Sequence, residues 1–385
     1  VSRLARVAEE QCESPRRRAS SRARTGSRGS QARAKSPALA HALTGRRYAP
    51  AMKIGIVGGG IGGFSAALAL ARVGHDVAVF ERASSLSEVG AGVQISPNAW
   101  RVLRWLGLSD EFAEIAVLPS RLVIRRWEDD SVIRSNDLDA EAISTWGASL
   151  ASVARTDLIG MLGAAVSVAP HISVHYGRRA TGVKSLDDRS TVVFEDGSMA
   201  SFDVVIGADG VHSVVRPSVG VVDSARFSGS VAYRALVPRE RVADLPVETT
   251  NRVGPGSHVV SYFIGRGRSH LNLVCITPED NWTTESWTEP GSVDDLRARF
   301  ADWSPQLRSI LDHVDEPVFR WALYDREPTA RWGVGTTTLL GDACHPMLPF
   351  MAQGSCQAIE DAAVLARCLD GVDPTGGAVA LRRYE

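Results

Sequence analysis

The sequence contains no apolar run long enough to cross a lipid bilayer as a helix, which takes about 20 residues, so it predicts no membrane span. Cysteine is scarce: the chain has five in 385 residues, and they form no CxxC or Cys/His pattern. This spacing argues against a metal site and against a disulfide framework. It favours a reducing compartment, and a cytoplasmic location is therefore predicted.

The chain as a whole has almost no net charge (−1), but its first 51 residues and the rest of the chain differ in the sign of their charge. Residues 1–51 hold 11 Arg and 1 Lys against 3 Glu, which leaves the other 334 residues with a net charge of −10. Phosphate contacts need Lys and Arg, so an acidic body argues against nucleic acid as a partner.

The basic segment 1–51 is dominated by Arg, Ser and Ala and has no lasting apolar periodicity. Such a segment cannot bury enough surface to offset the entropy of ordering, so disorder is predicted. A targeting peptide and a basic arm for an acidic partner are two interpretations. A mis-assigned start is favoured over both, because Met52 stands directly before the first predicted strand.

A glycine-rich loop follows that strand, Lys53–Val57, and Gly58, Gly60 and Gly63 occupy the positions of a GxGxxG pattern. The first glycine permits a tight turn, the second lets backbone approach a pyrophosphate, and the third lets helix and strand pack closely. A helix predicted over Phe64–Val73 would direct its N-terminal amides at the phosphates. The loop thus indicates a dinucleotide site.

An acidic residue stands at the distance this pattern requires. Asp76–Phe80 is predicted as the second strand, and Glu81 at its end would accept hydrogen bonds from both hydroxyls of an adenosine ribose. The loop alone does not separate FAD from NAD. The cofactor contacts predicted for this part of the chain are Gly58, Gly60, Ile61, Gly62, Gly63, Glu81 and Arg82.

Two later segments carry a family resemblance. Residues 203–216 read DVVIGADGVHSVVR, and residues 339–361 read LLGDACHPMLPFMAQGSCQAIED. Together with the glycine loop, and in this order, they resemble the single-component flavin-dependent aromatic hydroxylases (class A flavoprotein monooxygenases). The likeness is greatest to the salicylate and hydroxynicotinate hydroxylase branch and extends from Met52 to Glu385.

This resemblance implies an α/β fold: a Rossmann-like FAD-binding domain with three layers (ββα), and an inserted, mainly antiparallel β-sheet substrate domain. The FAD-binding domain is predicted to be discontinuous, over residues 52–119, 148–221 and 319–385. The substrate domain is predicted over 120–147 and 222–318, where alternating apolar and polar runs are typical of antiparallel strands. The antiparallel sheet would roof the flavin.

The implied activity is hydroxylation of a small phenolic or aromatic acid with dioxygen, through a flavin C(4a)-hydroperoxide, after hydride transfer from NADH or NADPH to FAD. No second complete GxGxxG occurs, because the other GxG segments lack the third glycine. The nicotinamide cofactor is therefore expected to bind transiently. The implied partners are the aromatic substrate and dioxygen, and the chain is expected to be a monomer or a homodimer.

The two later motifs supply further expected cofactor contacts. Asp209 either caps amides of its own turn or contacts the ligand, and Arg216 would add positive charge there. By resemblance Asp342 bonds the ribityl chain, and a helix from Ser355 to about Leu369 directs free amides at the flavin N(1)–C(2)=O edge. Residues 90–94 resemble the loop that lies near the flavin ring in this family. Other expected contacts are Gly92, Val93, Arg155, Gly341, Pro349, Gly354, Ser355 and Cys356.

Tyr233 and Pro349 are the predicted catalytic residues: Pro349 would border the site of the peroxide, and Tyr233 would face the substrate. Tyr233 would form a hydrogen bond to a phenol oxygen of the substrate, or Arg234 would bind a carboxylate. The alternative is that Tyr233 belongs to the core and Arg234 caps a neighbouring segment. His258 and Tyr262 share one face of a predicted strand, which lines either the pocket or the surface.

A protein base is not predicted, because Gln94 and Gly229 stand where some relatives place a catalytic histidine. One rival interpretation is the same scaffold acting as an epoxidase or antibiotic monooxygenase on a non-phenolic substrate. Another is a truncated, non-catalytic flavin-binding protein, since Leu381–Glu385 is typical of the beginning of a helix. A plain NAD dehydrogenase is a third.

Overall fold

The structure, a computed structural model, describes residues 50–85, 92–185, 188–280 and 289–385. Within these ranges the α-helices, in chain order, are α1 Ile61–Arg72, α2 Pro97–Trp105, α3 Ser109–Ile115, α4 Ala140–Trp146, α5 Arg155–Val168, α6 Val293–Arg299, α7 Pro305–Leu311, α8 Gly354–Leu369 and α9 Gly377–Tyr384. The strands are β1 Lys53–Val57, β2 Asp76–Glu81, β3 Gly92–Ile95, β4 Arg121–Arg126, β5 Val132–Asp137, β6 Ala151–Ala154, β7 Ile172–Tyr176, β8 Ala180–Ser185, β9 Ser190–Phe194, β10 Met199–Phe202, β11 Val204–Gly207, β12 Arg226–Pro238, β13 Thr249–Val253, β14 His258–Ile264, β15 His270–Pro278, β16 Glu289–Gly291, β17 Val318–Asp325, β18 Gly333–Val334 and β19 Thr337–Leu339.

A six-stranded sheet in the order β18-β19-β11-β1-β2-β7 is parallel except at β18. Its central strands β1 and β11 are apolar and almost wholly buried, as expected for a sheet covered on both faces. β1 pairs with β2 on one side and with β11 on the other, so the loops that follow β1 and β11 leave the same edge side by side. In open parallel sheets this is where ligands bind.

Two different layers cover the parallel sheet. On one face α1 and α8 bury a cluster that includes Phe64 and Ile359 together with Ile54 and Ile56 of β1. On the other face the antiparallel sheet β10-β9-β8 packs through Val192 and Phe194 onto Val57 and Val205. The three-layer ββα arrangement predicted from the family resemblance is therefore confirmed.

The second large sheet has the order β16-β17-β12-β15-β14-β13-β4-β5 and is antiparallel except between β13 and β4. One of its faces packs against α6 and α7 around Leu296, Phe300 and Leu307. Both helices begin with a serine that accepts a hydrogen bond from an amide of the first turn, Ser292 from Asp295 and Ser304 from Leu307. The other face holds a smaller apolar cluster around Trp321.

The predicted elements hold with shifted ends. β1 has the predicted bounds, whereas α1 begins at Ile61 rather than at Phe64, since Gly62 and Gly63 are themselves helical. Residues 381–384 belong to α9, which begins at Gly377 rather than at Leu381. The disorder predicted for residues 1–51 falls outside the described ranges, apart from residues 50 and 51. The first two residues of the loop predicted at 90–94 also lie outside these ranges.

No helix in the described ranges combines the length and apolarity needed to span a membrane. The same residues contain no group of three or more His, Cys, Asp or Glu side chains placed to hold a metal ion.

Arg216 ties together the loops beside the parallel sheet. Its side chain is 2% exposed and forms a two-point ion pair with Asp223, at 2.7 and 3.0 Å. It also donates to the main-chain carbonyls of Ala343 and Cys344, at 3.0 and 2.8 Å. Its charge is therefore already neutralised by Asp223, and the arginine links the loop after β11 to the loop after β19.

We predict that Arg216→Ala lowers the free energy of unfolding by about 3 kcal/mol or more, because it leaves Asp223 and two carbonyls without a donor. Arg226→Ala is the matched control: Arg226 is paired with Asp325 but 62% exposed, so its loss should cost less than about 1 kcal/mol. Urea unfolding of the two FAD-free variants measures the difference. An equal decrease in the free energy of unfolding for both variants would show that Arg216 does not link the loops.

Candidate functional site

The loop between β1 and α1 is closed by backbone contacts that only glycine allows. Gly58 has a φ of +106°, and a β-carbon on it would overlap the carbonyl of Ala208. A β-carbon on Gly63 would overlap the carbonyl oxygen of Gly58. One on Gly62 would lie 2.7 Å from Leu340 Cδ2. These three glycines are thus required by the protein's own packing.

Gly60 is different from its neighbours. No atom lies within 4 Å of the position a β-carbon would take there, and its φ of −81° suits any residue. Gly60 is also the N-cap of α1, and no side chain caps this helix end. Open space and unsatisfied amides at a helix N-terminus together fit a bound phosphate group.

The end of β2 also lies beside this loop. Glu81 Oε2 accepts a hydrogen bond from the Gly59 amide at 2.7 Å, and Oε1 accepts from the Ala83 amide at 2.8 Å. Arg82 is exposed, and Ile61 is buried. The carboxylate of Glu81 therefore anchors the glycine loop, and its contact with a ribose stays a prediction.

Asp209 occupies the turn after β11. Its Oδ2 accepts hydrogen bonds from the Val214 and Val215 amides, at 2.7 and 3.3 Å, so the turn-capping role is present. Its Oδ1 is buried and has no hydrogen-bond partner. Burial raises the pKa of this carboxyl, and hydrogen bonds from Ser213 and the turn amides partly offset the rise. One oxygen thus has no partner among the described residues, and its contact with a ligand stays a prediction.

Gly341 and Asp342 follow β19. Gly341 has a φ of +60° and lies against Ala358 of α8, and its amide donates to Asp361 Oδ2 at 2.9 Å. Asp342 is exposed, yet burial of its carboxyl by the surrounding protein raises its pKa, with nearby Arg155 and His345 opposing the rise. An accessible carboxylate surrounded by protein is typical of the floor of a cleft.

The N-terminus of α8 lies next to Asp342, since a β-carbon on Gly354 would be 3.8 Å from Asp342 Oδ1. Gln353 at the N-cap makes no side-chain hydrogen bond to the helix, so the amides of Gly354 and Ser355 lack a side-chain cap. Cys356 is different: its Sγ is turned away, to the Ser96 amide at 3.3 Å. Only the backbone of Cys356 is therefore placed to face a cofactor.

Pro349 begins a short 3₁₀ turn, Pro349–Met351, in the loop before α8. The preceding Leu348 packs on the apolar cluster of the large sheet, and Phe350 lies edge-on to His258 of β14 with ring centroids 5.4 Å apart. Pro349 is thus held between the parallel-sheet region and the antiparallel sheet. Its role beside the reacting oxygen stays a prediction.

β3 joins the antiparallel sheet to the cofactor loops. The Gly92 amide donates to Asn272 Oδ1 at 2.9 Å, and a β-carbon on Gly92 would lie 2.6 Å from Tyr262. Val93 is half-buried. Gly92 is therefore a glycine because the sheet packs on it, which is a different reason from the ligand contact that the family resemblance implied.

Tyr233 does not face this region, so the prediction that it faces the substrate is corrected. It is fully buried on the helix-covered face of β12, and its hydroxyl donates to Asp295 of α6. Val231, Ala235 and Val237 share that face and that cluster. Since side chains alternate along a strand, the apolar series at every second residue was the signal that placed Tyr233 in the core.

Arg234 points to the opposite face, towards the cofactor loops, and Arg155 lies near enough to Arg234 and Asp342 to affect the pKa of both. Tyr262 is on the same side, and burial raises its pKa to about 12. His258 is there as well, and burial lowers its pKa. The sequence did not reveal the contacts of Trp321 and Asn272 on this face, because they depend on strand order.

The site thus combines an open space above Gly60, two helix N-termini without side-chain caps, and the carboxylates of Asp209 and Asp342. These groups fit the pyrophosphate and polyhydroxyl chain of a dinucleotide. The pKa shifts of Asp209, Asp342, Arg234 and Tyr262 converge on the same region, as is common at functional sites.

The chain is similar to known proteins. The family described as "FAD binding domain" matches residues 51–385. The chain is 37% identical over 336 residues to a 3-amino-4-hydroxybenzoate 2-monooxygenase from Streptomyces platensis, covering 86% of this chain and 83% of that protein. It is 34% identical to a 6-hydroxynicotinate 3-monooxygenase from Bordetella bronchiseptica, covering 86% of each. The crystal structure of Klebsiella pneumoniae HpxO with FAD and uric acid superimposes with a TM-score of 0.76 at 31% identity, covering 87% of this chain and 83% of that chain.

We predict that Tyr233→Phe lowers the free energy of unfolding by about 1 kcal/mol, through the lost hydrogen bond to Asp295. It should leave the KM for an aromatic substrate unchanged, because the hydroxyl lies on the far face of the sheet. Steady-state kinetics and thermal unfolding of the variant measure the two effects. A raised KM at unchanged stability would restore Tyr233 to the substrate site.

Proposed function

The chain belongs to the family of FAD-dependent aromatic hydroxylases that this FAD-binding domain defines, and from that premise we propose how its own residues carry out the reaction. The proposed activity is the hydroxylation of a small aromatic acid that bears a hydroxyl or amino group, with NADH or NADPH and dioxygen as co-substrates. The relatives named for 3-amino-4-hydroxybenzoate and 6-hydroxynicotinate support this choice of substrate.

The observation that carries the proposal is the contrast between Gly60 and the other glycines of its loop. Gly58, Gly62 and Gly63 have no room for a side chain because protein atoms fill it, whereas the space at Gly60 is empty. A glycine that neither packing nor backbone conformation requires is explained by a ligand that approaches the main chain closely. The pyrophosphate of FAD suits this position, at the N-terminus of α1.

The remaining contacts follow from the loops around that point. Glu81 would hold the adenosine ribose, and Asp342 would accept hydrogen bonds from the ribityl hydroxyls. Asp209 would hold the turn that lies near the pyrophosphate, and the first amides of α8 would face the flavin ring. Bound FAD would supply electron transfer from the nicotinamide and activation of dioxygen.

The antiparallel sheet would supply the substrate side. Leu348 and the cluster around Trp321 form an apolar surface between the sheet and the loop that holds Pro349. Such a surface excludes water, which a hydroxylation by activated oxygen requires. The proposal retains a cytoplasmic location and a monomeric or homodimeric state as predictions.

We predict that Gly60→Ala weakens FAD binding by about tenfold or more, while it changes the unfolding free energy of the FAD-free protein by about 1 kcal/mol or less. The control is Gly63→Ala, which should destabilise the FAD-free protein itself, because the added carbon meets the carbonyl of Gly58. Fluorescence titration with FAD and urea unfolding measure the two effects. Undiminished FAD affinity in Gly60→Ala would contradict the proposed position of the pyrophosphate.

We predict that Asp342→Ala purifies with substoichiometric FAD and binds added FAD about tenfold or more weakly, because a charged acceptor to the ribityl chain is lost. Asp342→Asn keeps the shape of the side chain and one acceptor oxygen, so this variant should lose less FAD affinity. The absorption spectrum gives the occupancy. NADH or NADPH oxidation by the wild-type holoenzyme, followed over hydroxylated aromatic acids with product analysis, tests the activity. A yellow protein that no aromatic stimulates would contradict hydroxylation but not FAD binding.

A further inference from the structure

Arg234 lies in the centre of the antiparallel sheet, on the face that looks towards the cofactor loops. In the ladder it pairs with Val274 of β15 and Phe319 of β17. On this face Asn272 and Tyr262 contact Gly92, next to the loop segment that the family resemblance places near the flavin ring. The arginine is therefore on the substrate side of the sheet.

The guanidinium group of Arg234 has no anionic partner among the described residues. It lies flat over the ring of Trp321, with the guanidinium carbon 3.8 Å from the ring centroid. Its Nε is buried and makes no hydrogen bond. Arg234 as a whole is half-buried, and two more deeply buried arginines differ from it: Arg216 is paired with Asp223, and Arg252 with Asp130 at 2.5 Å.

An unpaired buried cation destabilises a protein unless a ligand neutralises it. Burial lowers the pKa of Arg234 to about 10, with nearby Tyr262 opposing and Arg155 adding to this decrease, so the group stays charged at neutral pH. Arg155 carries the same sign and therefore does not compensate it.

The surroundings of the guanidinium are apolar and flat. Trp321, Ala232 and Ile276 form the wall of the sheet, and Leu348 of the loop that precedes α8 packs against them. Aromatic rings pack favourably on apolar walls of this kind, and a guanidinium binds a carboxylate through two parallel hydrogen bonds.

We propose that Arg234 binds the carboxylate of the aromatic substrate and is the residue that makes this enzyme select aromatic acids over neutral phenols. This inference rests on the proposed function and deepens it, because it names the group that recognises the acid.

The test compares acids with their parents that lack the carboxylate. Salicylate, 3-hydroxybenzoate and 4-hydroxybenzoate are each paired with phenol, and 6-hydroxynicotinate is paired with 2-hydroxypyridine. Binding to FAD-loaded wild type, Arg234→Gln and Arg234→Lys is measured by calorimetry, and KM and kcat are measured with NADH. Arg320→Gln is the matched control, since Arg320 lies on the adjacent strand and on the other face of the sheet, near Asp295 and Glu279.

We expect Arg234→Gln to weaken binding of the preferred acid by about 10- to 100-fold and to raise its KM, with little effect on the neutral parent. Arg234→Lys should lose less, and Arg320→Gln should keep the preference for the acid. Because the arginine is unpaired, Arg234→Gln should also melt at the same or a higher temperature without ligand.

Three results would overturn the assignment: a wild type that binds no acid of the panel more tightly than its parent, an equal loss for acid and parent in Arg234→Gln, or a variant that fails to fold or melts lower. These outcomes are separate from a failure of the proposed function. A protein that takes up no FAD would contradict the proposed function, whereas its acid preference in thermal shift assays would still report on Arg234.

Discussion

The carboxyl edge of the parallel sheet depends on backbone approaching backbone with no room for a β-carbon between. The loop after β1 meets the loop after β11 at Gly58 and Ala208, and it closes on itself at Gly63. The helix α1 then packs on α8 through Gly62, beside Leu340 and Ala358. Larger residues would separate these segments, and the helix N-termini would no longer converge on one place.

Within that frame, buried polar groups divide into those the protein satisfies and those it leaves open. Arg216 is fully occupied by Asp223 and two carbonyls, and it holds the loops. One oxygen of Asp209 and the Nε of Arg234 are buried without partners. A protein stabilised by satisfied groups can carry a few unsatisfied ones, and such groups are candidates for ligand binding.

The cofactor side of the site was largely predictable from sequence, and the substrate side was not. Gly58, Glu81, Asp209 and Asp342 stand in short motifs whose geometry is local, because each motif is a strand, a turn and a following residue. Tyr233 shows the limit. Its neighbours in sequence resemble those in relatives, yet its direction depends on which face of β12 the helices α6 and α7 cover, and those helices lie some sixty residues further along the chain.

The sequence by itself determined the parallel sheet, the dinucleotide loop and the order of the flavin motifs, since periodicity, glycine spacing and turn chemistry act over a few residues. Tertiary structure alone decided that Gly92 packs under Tyr262 and Asn272, that Cys356 turns to Ser96, and that Arg234 lies over Trp321 without an anion. Such contacts join residues from 87 to 260 positions apart, and a strand's alternating faces are equivalent until another layer packs on one of them.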